Sequence, residues 1–363
     1  MDSEHTTDSC AQGIRQLADS DVEENQEEIG SMEIVSGKGF ANADLSVWAE
    51  GYKTVGFQGS HLHQAIEELK IMRKNKSKIF LGYTSNLISS GVRDIIAYLV
   101  KNRYVDVVVT TAGGIEEDII KTMKPSRLGV FSMDGATLRS HGLNRVGNVL
   151  IPNENYFVFE EWMKEFLNEI VDDKLEDTNN DEIQGIGSGY RRVGNISIIT
   201  PSRFIYELGR KVNSEDSVYY WAHKNNIPVY CPAITDGSIG DIITYFSRRR
   251  ELVIDTVEDI ARINGEGLFC ESTGALILGA GVIKHHILNA NLFRNGLDHC
   301  VLVNTAQEYD GSDAGAQVDE AVSWGKIKKH TRSVKVHADA TIVLPIIVGA
   351  VWPSPNNQQI DKK

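Results

Sequence analysis

Two kinds of apolar spacing divide this chain. Between residues 45 and 74, Leu62, Ile66, Leu69 and Ile71 recur near the helical period, so the stretch reads as helix. At 78–83 and 105–110 the apolar residues run almost unbroken, as Lys-Ile-Phe-Leu-Gly-Tyr and Val-Asp-Val-Val-Val-Thr. Such runs fit strands buried on both faces of a parallel sheet. Each passes into a loop of Ser, Thr, Asn or Gly and then into a helix, over 92–101 after the first and after Thr111-Ala112-Gly113-Gly114 for the second. Strand signals return at 229–232, 252–254, 274–278, 299–304 and 333–340. The expected fold class is α/β: a doubly wound, mostly parallel sheet of Rossmann-like type with helices on both faces.

The remaining pattern is less regular. Residues 154–171 read as an amphipathic helix, 172–197 as a loop or insertion, and Thr200-Pro201-Ser202 as a helix start with proline near its first position. Residues 1–36 are polar and acidic, an expected mobile segment. That leaves 37–353 as one catalytic domain and 354–363 as a tail. The longest apolar run, 340–352, contains Pro345 and is too short to span a bilayer; it reads as a buried helix.

Composition narrows the partners. The 363 residues are 41% hydrophobic and 24% charged, with a net charge of −13. That balance suits a soluble globular protein and argues against nucleic-acid binding. An acidic surface suits cationic ligands or a basic partner. No secretory signal or membrane span is expected. Cys10, Cys231, Cys270 and Cys300 form no C-x-x-C pair and lack zinc-ligand spacing, so they read as reduced thiols of a cytoplasmic protein, with no metal expected.

The loops hold the candidate chemistry. Thr111-Ala112-Gly113-Gly114 and Gly279-Ala280-Gly281 each follow an apolar strand and precede a helix. Glycines let backbone amides approach a pyrophosphate, and a helix N-terminus favours its charge. Neither loop is a full G-x-G-x-x-G or a Walker P-loop, and each fits a plain tight turn as well. Asp236, Asp241, Asp310, Asp313, Glu320 and Asp339 all fall in or just after such loops. Singly they read as caps and turn formers; gathered at one sheet edge they need a cation, and a polyamine supplies one. His285 follows the second glycine loop, where a general base works near neutral pH.

The stretch from Asp319 to Ile327 places two carboxylates, an indole and a lysine close together. A helix from Asp319 puts Glu320 and Trp324 on one face, and Gly325 ends it, so Lys326 projects from a helix end. A lysine desolvated beside an indole becomes a neutral, nucleophilic amine. A solvated surface helix is the competing reading.

Several long motifs stand in a fixed order: Phe80-Leu81-Gly82-Tyr83-Thr84-Ser85-Asn86-Leu87, Val109-Thr110-Thr111-Ala112-Gly113-Gly114, Pro152-Asn153-Glu154-Asn155-Tyr156, Thr235-Asp236-Gly237-Ser238, Lys284-His285-His286, Asn304-Thr305-Ala306-Gln307-Glu308, Asp310-Gly311-Ser312-Asp313 and Glu320-Ala321-Val322-Ser323-Trp324-Gly325-Lys326. Together they closely resemble the deoxyhypusine synthase family over about residues 39–349. The resemblance implies an NAD-dependent transferase. It moves the 4-aminobutyl group of spermidine, through an imine on an enzyme lysine, to one lysine of the translation factor 5A precursor. It implies a homotetramer with active sites shared across a dimer interface. It puts the imine at Lys326 and the base at His285, with the polyamine held by Asp241, Asp313, Glu320 and Trp324. The NAD site falls on Ser85, Asn86, Ser89, Thr111, Ala112, Gly113, Glu117, Asp236, Gly279, Gly281, Thr305, Ala306, Asp310, Asp339 and Ala340.

Some positions depart from the family pattern. Ala280 stands where a glycine is usual, Ala314 where a serine is common, and Gln317-Val318 where Arg-Pro is usual. Homospermidine synthase, which uses putrescine as acceptor, shares the motifs. So does a non-catalytic activating paralogue in part, although those lack the lysine that Lys326 supplies here. A zinc-bearing NAD-dependent deacylase is disfavoured by the absence of a four-cysteine site.

Overall fold

The computed structural model describes residues 49–172 and 189–352. The acidic segment 1–36 and the tail 354–363 lie outside the described residues. The described residues form two compact units, 120–162 and the remainder. Twelve strands run in chain order among them: β1 (Lys78–Tyr83), β2 (Val107–Val109), β3 (Arg127–Leu128), β4 (Leu143–Val146), β5 (Val149–Pro152), β6 (Tyr190–Val193), β7 (Ile196–Ile199), β8 (Val229–Tyr230), β9 (Leu252–Ile254), β10 (Thr273–Leu278), β11 (His299–Asn304) and β12 (Val334–His337).

In the larger unit, six strands make one parallel sheet in the order β12-β11-β10-β1-β2-β8. The chain enters at β1, winds outward to β8, then returns to β10 on the other side of β1. This reversal is a topological switch point, where the loops after β1 and β10 part and leave a crevice at their carboxyl ends. The apolar runs occupy the sheet interior as expected: β10 is buried at every position and β1 at all but Lys78.

Both faces are covered. A side chain at Gly82 would meet Ile287 of the helix Val282–Leu292 at 2.7 Å, and one at Gly274 would meet the Met72 sulfur of the helix Phe57–Lys74 at 2.6 Å. Gly82 lies on the Phe80 face and Gly274 is the partner of Ile79, so the two helices lie on opposite faces. Phe80, Val107, Val109, Ala275, Ile277, Cys300 and Leu302 share the first face with Ile283, Ile287 and Leu288 in one cluster. At about 25 cal/mol per Å² of apolar area, this burial is the main force holding the sheet between its helices.

Two expectations are refined. The helical reading of 45–74 is interrupted rather than continuous: residues 49–50 are helical, Gly51–Thr54 form a 3-10 turn, and the long helix starts at Phe57 after Gly56, whose φ of +87° separates the two. Of the expected loop 172–197, residues 173–188 lie outside the described residues, and the rest includes β6 and β7, a hairpin turned by Gly194, with β9 paired parallel to β7. The strand signal was hidden by Arg191 and Arg192. Arg191 is drawn into ion pairs with Asp255 and Glu258, at 2.8 and 3.0 Å. The smaller unit carries β3, β5 and β4 as an antiparallel sheet and a short helix, Gly135–Ser140, capped by Asp134. No candidate site residue falls in it. Among the described residues no helix is long and apolar enough to cross a membrane.

Candidate active site

The expected helix end at Lys326 is built as a tight cap. The helix Val318–Ser323 stops at Trp324, and Gly325 adopts φ +71°. The Gly325 amide donates to the Val322 carbonyl at 2.9 Å and the Lys326 amide to the Ala321 carbonyl at 3.0 Å. These two bonds are those of a Schellman motif, with glycine at the left-handed position. Beyond it, the Leu297 amide donates to the Lys326 carbonyl at 3.0 Å, so the lysine backbone is fixed on both sides.

Lys326 lines a cavity of about 460 Å³ together with His285, Asp313, Glu320 and Trp324. Five of the six residues implied for catalysis and polyamine binding therefore meet in one place. The Lys326 Nζ lies 5.6 Å from the centroid of the Trp324 ring, within cation–π range. That indole is 68% exposed, so in a single chain it does not bury the amine as the sequence argument required. Asp313 lines the same cavity, and its buried Oδ2 has no hydrogen-bond partner among the described residues.

Asp241 is not part of the cavity. It sits exposed in the first turn of the helix Ser238–Ser247, where its charge acts on Glu116. Glu116 is buried and accepts from the Ile239 amide at 3.0 Å, which anchors that helix's N-terminus. Burial pushes the Glu116 carboxyl up to about 7; the Ile239 amide opposes the rise, and the Glu117 and Asp241 charges add to it.

The residues implied for NAD lie in loops that follow the strands of the parallel sheet, and several of them meet beside the switch point. Thr84 Oγ1 donates to Asn86 Oδ1 at 2.5 Å, and a side chain at Gly279 would meet the same Thr84 oxygen at 2.6 Å. Gly279 also has φ +93°, so both space and conformation require glycine there. Ser85 lies against Gly113, and Ser89 donates to Glu117. The Asn304 amide reaches the Gly279 carbonyl at 3.4 Å and its oxygen accepts from the Ala306 amide at 3.1 Å, which joins the loop after β11 to the group. Thr111 Oγ1 is buried without a partner. Asp310 accepts from the Ser312 amide, and Asp339 caps the final helix by accepting from Thr341, so both also serve as turn and cap formers. Glycine-relieved backbone, a free hydroxyl and a carboxylate at a switch point fit a dinucleotide.

Sequence reasoning missed two lysines. Lys284 is 1% exposed; its ammonium donates to the Asp313 carbonyl at 2.6 Å and the Ala316 carbonyl at 2.9 Å. Lys335, also buried, donates to the Ala306 and Gly315 carbonyls at 2.9 and 2.6 Å. Burial pulls both ammonium groups down from the usual lysine range. Together they hold the 305–316 loop, which carries Asp310 and Asp313, from beneath. The signal for Lys284 was present: it sits one turn before Leu288 on the buried stripe of its helix. Asn289, one turn after His285, was missed as well; its Nδ2 lies 3.3 Å from His285 Nδ1 and steadies the ring. Neighbouring His286 is pushed down to about 4 by burial and by His285, so it is neutral near pH 7.

Comparison with known proteins gives the same address. A family model described as "Deoxyhypusine synthase" matches residues 48–351. The chain is 54% identical to the deoxyhypusine synthase of Encephalitozoon cuniculi, over 85% of this chain and 87% of that one. It is 46% identical to that of Caenorhabditis elegans, over 85% of each. A crystal structure of a candidate deoxyhypusine synthase from Entamoeba histolytica superposes with a TM-score of 0.58 at 32% identity, covering 84% of this chain and 91% of that chain. Family match, identity over most of the length and a shared fold together show that this chain is an enzyme of the deoxyhypusine synthase family.

Proposed function

We propose that the protein transfers the 4-aminobutyl group of spermidine to one lysine of the translation factor 5A precursor, with Lys326 as the imine carrier. The observation that carries this reading is the meeting of Lys326, His285, Asp313 and Glu320 in one cavity. Spermidine carries about three positive charges at neutral pH. The Asp313 and Glu320 carboxylates are its counterpart, and the Trp324 face receives its methylene chain or a cationic end. His285 takes the proton from the amine next to the reacting carbon, because only a neutral amine can be oxidised there. Lys326, fixed at its backbone, then attacks that carbon. 1,3-Diaminopropane leaves, and the acceptor lysine displaces Lys326 in turn.

NAD would be held by residues of the loops that follow the sheet strands: Ser85, Asn86, Ser89, Thr111, Ala112, Gly113, Glu117, Asp236, Gly279, Gly281, Thr305, Ala306, Asp310, Asp339 and Ala340. When bound, it accepts a hydride in the first half of the reaction and returns it in the second, so no outside reductant is needed. The chain's own contribution there is to position: Gly279 keeps the backbone close to β1, and Lys335 fixes the Ala306 end of the loop.

The active unit is a homotetramer with sites shared across a dimer interface. Asp241 stands apart from the cavity, and Trp324, Phe293 and Tyr309 are exposed, which supports a second copy completing the site. Light scattering checks the assembly. Incubation with NAD, labelled spermidine, and either the 5A precursor or putrescine checks the chemistry. Label on the precursor is expected. Label on putrescine alone would make the protein a homospermidine synthase, and no transfer without a second subunit would make it an activating paralogue.

A further inference from the structure

A second cavity, of about 540 Å³, opens at the amino ends of β1, β2 and β10, the opposite end of the sheet from the switch-point crevice. Its lining includes Arg73, Lys76, Lys78 and Arg103, against the two acids Asp106 and Glu271. In a chain with a net charge of −13, a cavity with an excess of cations is unusual. Arg73 donates only to the Val351 carbonyl and Arg103 to the Asn225 side chain, both neutral. Among the described residues no carboxylate pairs with Arg73, Lys76 or Arg103; Lys78 alone has one, Glu266 at 2.5 Å.

Backbone conformation supplies an independent observation. Among the described residues, six that are not glycine adopt a left-handed φ: Phe57, Lys76, Arg103, Asn213, Asn226 and Asn295. Asparagine tolerates this region. The two that are basic both line this one cavity. Each follows a helix end. The Ser77 amide donates to the Met72 carbonyl and the Tyr104 amide to the Leu99 carbonyl, so Lys76 and Arg103 take the Schellman position that glycine prefers. A helix dipole favours cations at its carboxyl end, but Arg73, Lys74 and Lys101 already stand in these last turns. The dipole therefore does not explain why lysine and arginine occupy the strained positions themselves.

We propose that this cavity binds a small phosphorylated anion, with Lys76 and Arg103 as its principal contacts and Arg73 and Lys78 completing the cationic wall. The volume falls in the range of ordinary ligand sites, and Tyr104 offers one aromatic edge. Guanidinium groups match phosphate oxygens in pairs, while lysine acts as a point charge. The inference goes beyond the proposed transfer reaction and does not depend on it.

The test is isothermal titration of pyrophosphate, and separately of ATP, into the full chain saturated with NAD, so that the switch-point crevice is not available to them. Pyrophosphate measures the phosphate chemistry alone, and tighter binding of ATP shows that a base adds contacts. The variant Lys76→Gly/Arg103→Gly is expected to bind at least about tenfold more weakly, with a melting temperature unchanged or raised, since glycine relieves the left-handed strain. Lys76→Asn/Arg103→Asn repeats the test with a second tolerated pair. If neither ligand binds the unsubstituted protein, or if both variants bind as well as it does, the site is not there.

Discussion

At the carboxyl ends of the strands the chain places carboxylates, glycines and lysines fixed at backbone or side chain; at the amino ends it places four basic residues, two of them on left-handed backbone. The left-handed positions near the catalytic cavity and the crevice, at Gly279, Gly281 and Gly325, are held by glycine. There glycine relieves the backbone, and the neighbouring side chains are those proposed for the chemistry. At the other end, the left-handed positions hold Lys76 and Arg103, whose side chains face a cavity. Glycine at such a turn marks a requirement of the backbone, whereas a long basic side chain in the same conformation marks a requirement of what it touches. With the proposed polyamine at one end and the proposed anion at the other, one acidic chain would sort two ligands by charge.

Substitutions sharpen this comparison. The largest effect belongs to Lys326→Ala, which should reduce transfer to protein by more than about a thousandfold while leaving some NAD-dependent spermidine cleavage. Borohydride trapping followed by peptide mapping checks it, and a trapped imine on Lys328 or Lys329 would move the assignment. Next is Lys335→Met, which leaves the half-buried Ala306 and buried Gly315 carbonyls without their donor. A loss of about 3 kcal/mol of stability is expected, read by denaturant unfolding, with weaker NAD binding measured by titration.

The pH dependence of Glu116 follows from its shift. Its carboxyl rises from 4.5 to about 7 in the folded protein. Between those values the folded state holds more protons than the unfolded one, so stability falls as pH rises through this window. Glu116→Gln should flatten that slope, removing a cost on the order of 3 kcal/mol at pH 8; melting curves from pH 5 to 8 measure it. A slope that persists in the variant would place the titration elsewhere. The smallest of these effects is expected at the cavity itself. Glu320→Gln keeps the shape and removes one charge, so the spermidine KM should rise about tenfold, with kcat less affected. If Glu320→Gln raised the KM for NAD instead, the division between the crevice and the cavity would fail.

Much of this arrangement was legible along the chain. The run at β10, the glycine loop after it and the stop at Gly325 each rest on local requirements: unbroken burial, left-handed backbone, a helix that cannot continue. A chain that satisfies them has few alternatives, so β11 appears at 299–304 as expected and Lys326 projects from a helix end. The hairpin of β6 and β7 was not legible, because its arginines read as loop until Asp255 and Glu258, distant in sequence, paired with Arg191. Lys284 and Lys335 were passed over for a related reason. A buried lysine looks like a surface residue until the carbonyls that satisfy it are known, and those lie 20 to 32 positions away along the chain.

By itself, then, the sequence determined the strands of the parallel sheet, the glycine turns and which residues carry charge, since these follow from near neighbours. Only the tertiary structure decided that β1 and β10 lie side by side with their loops parting. It also decided that Asp313, Glu320, His285 and Lys326 meet in one cavity while Asp241 stands outside it, and that four basic residues meet at the opposite end of the sheet. The physical reason is that electrostatics acts through space. A charge has no partner in the sequence until packing brings another within a few ångströms.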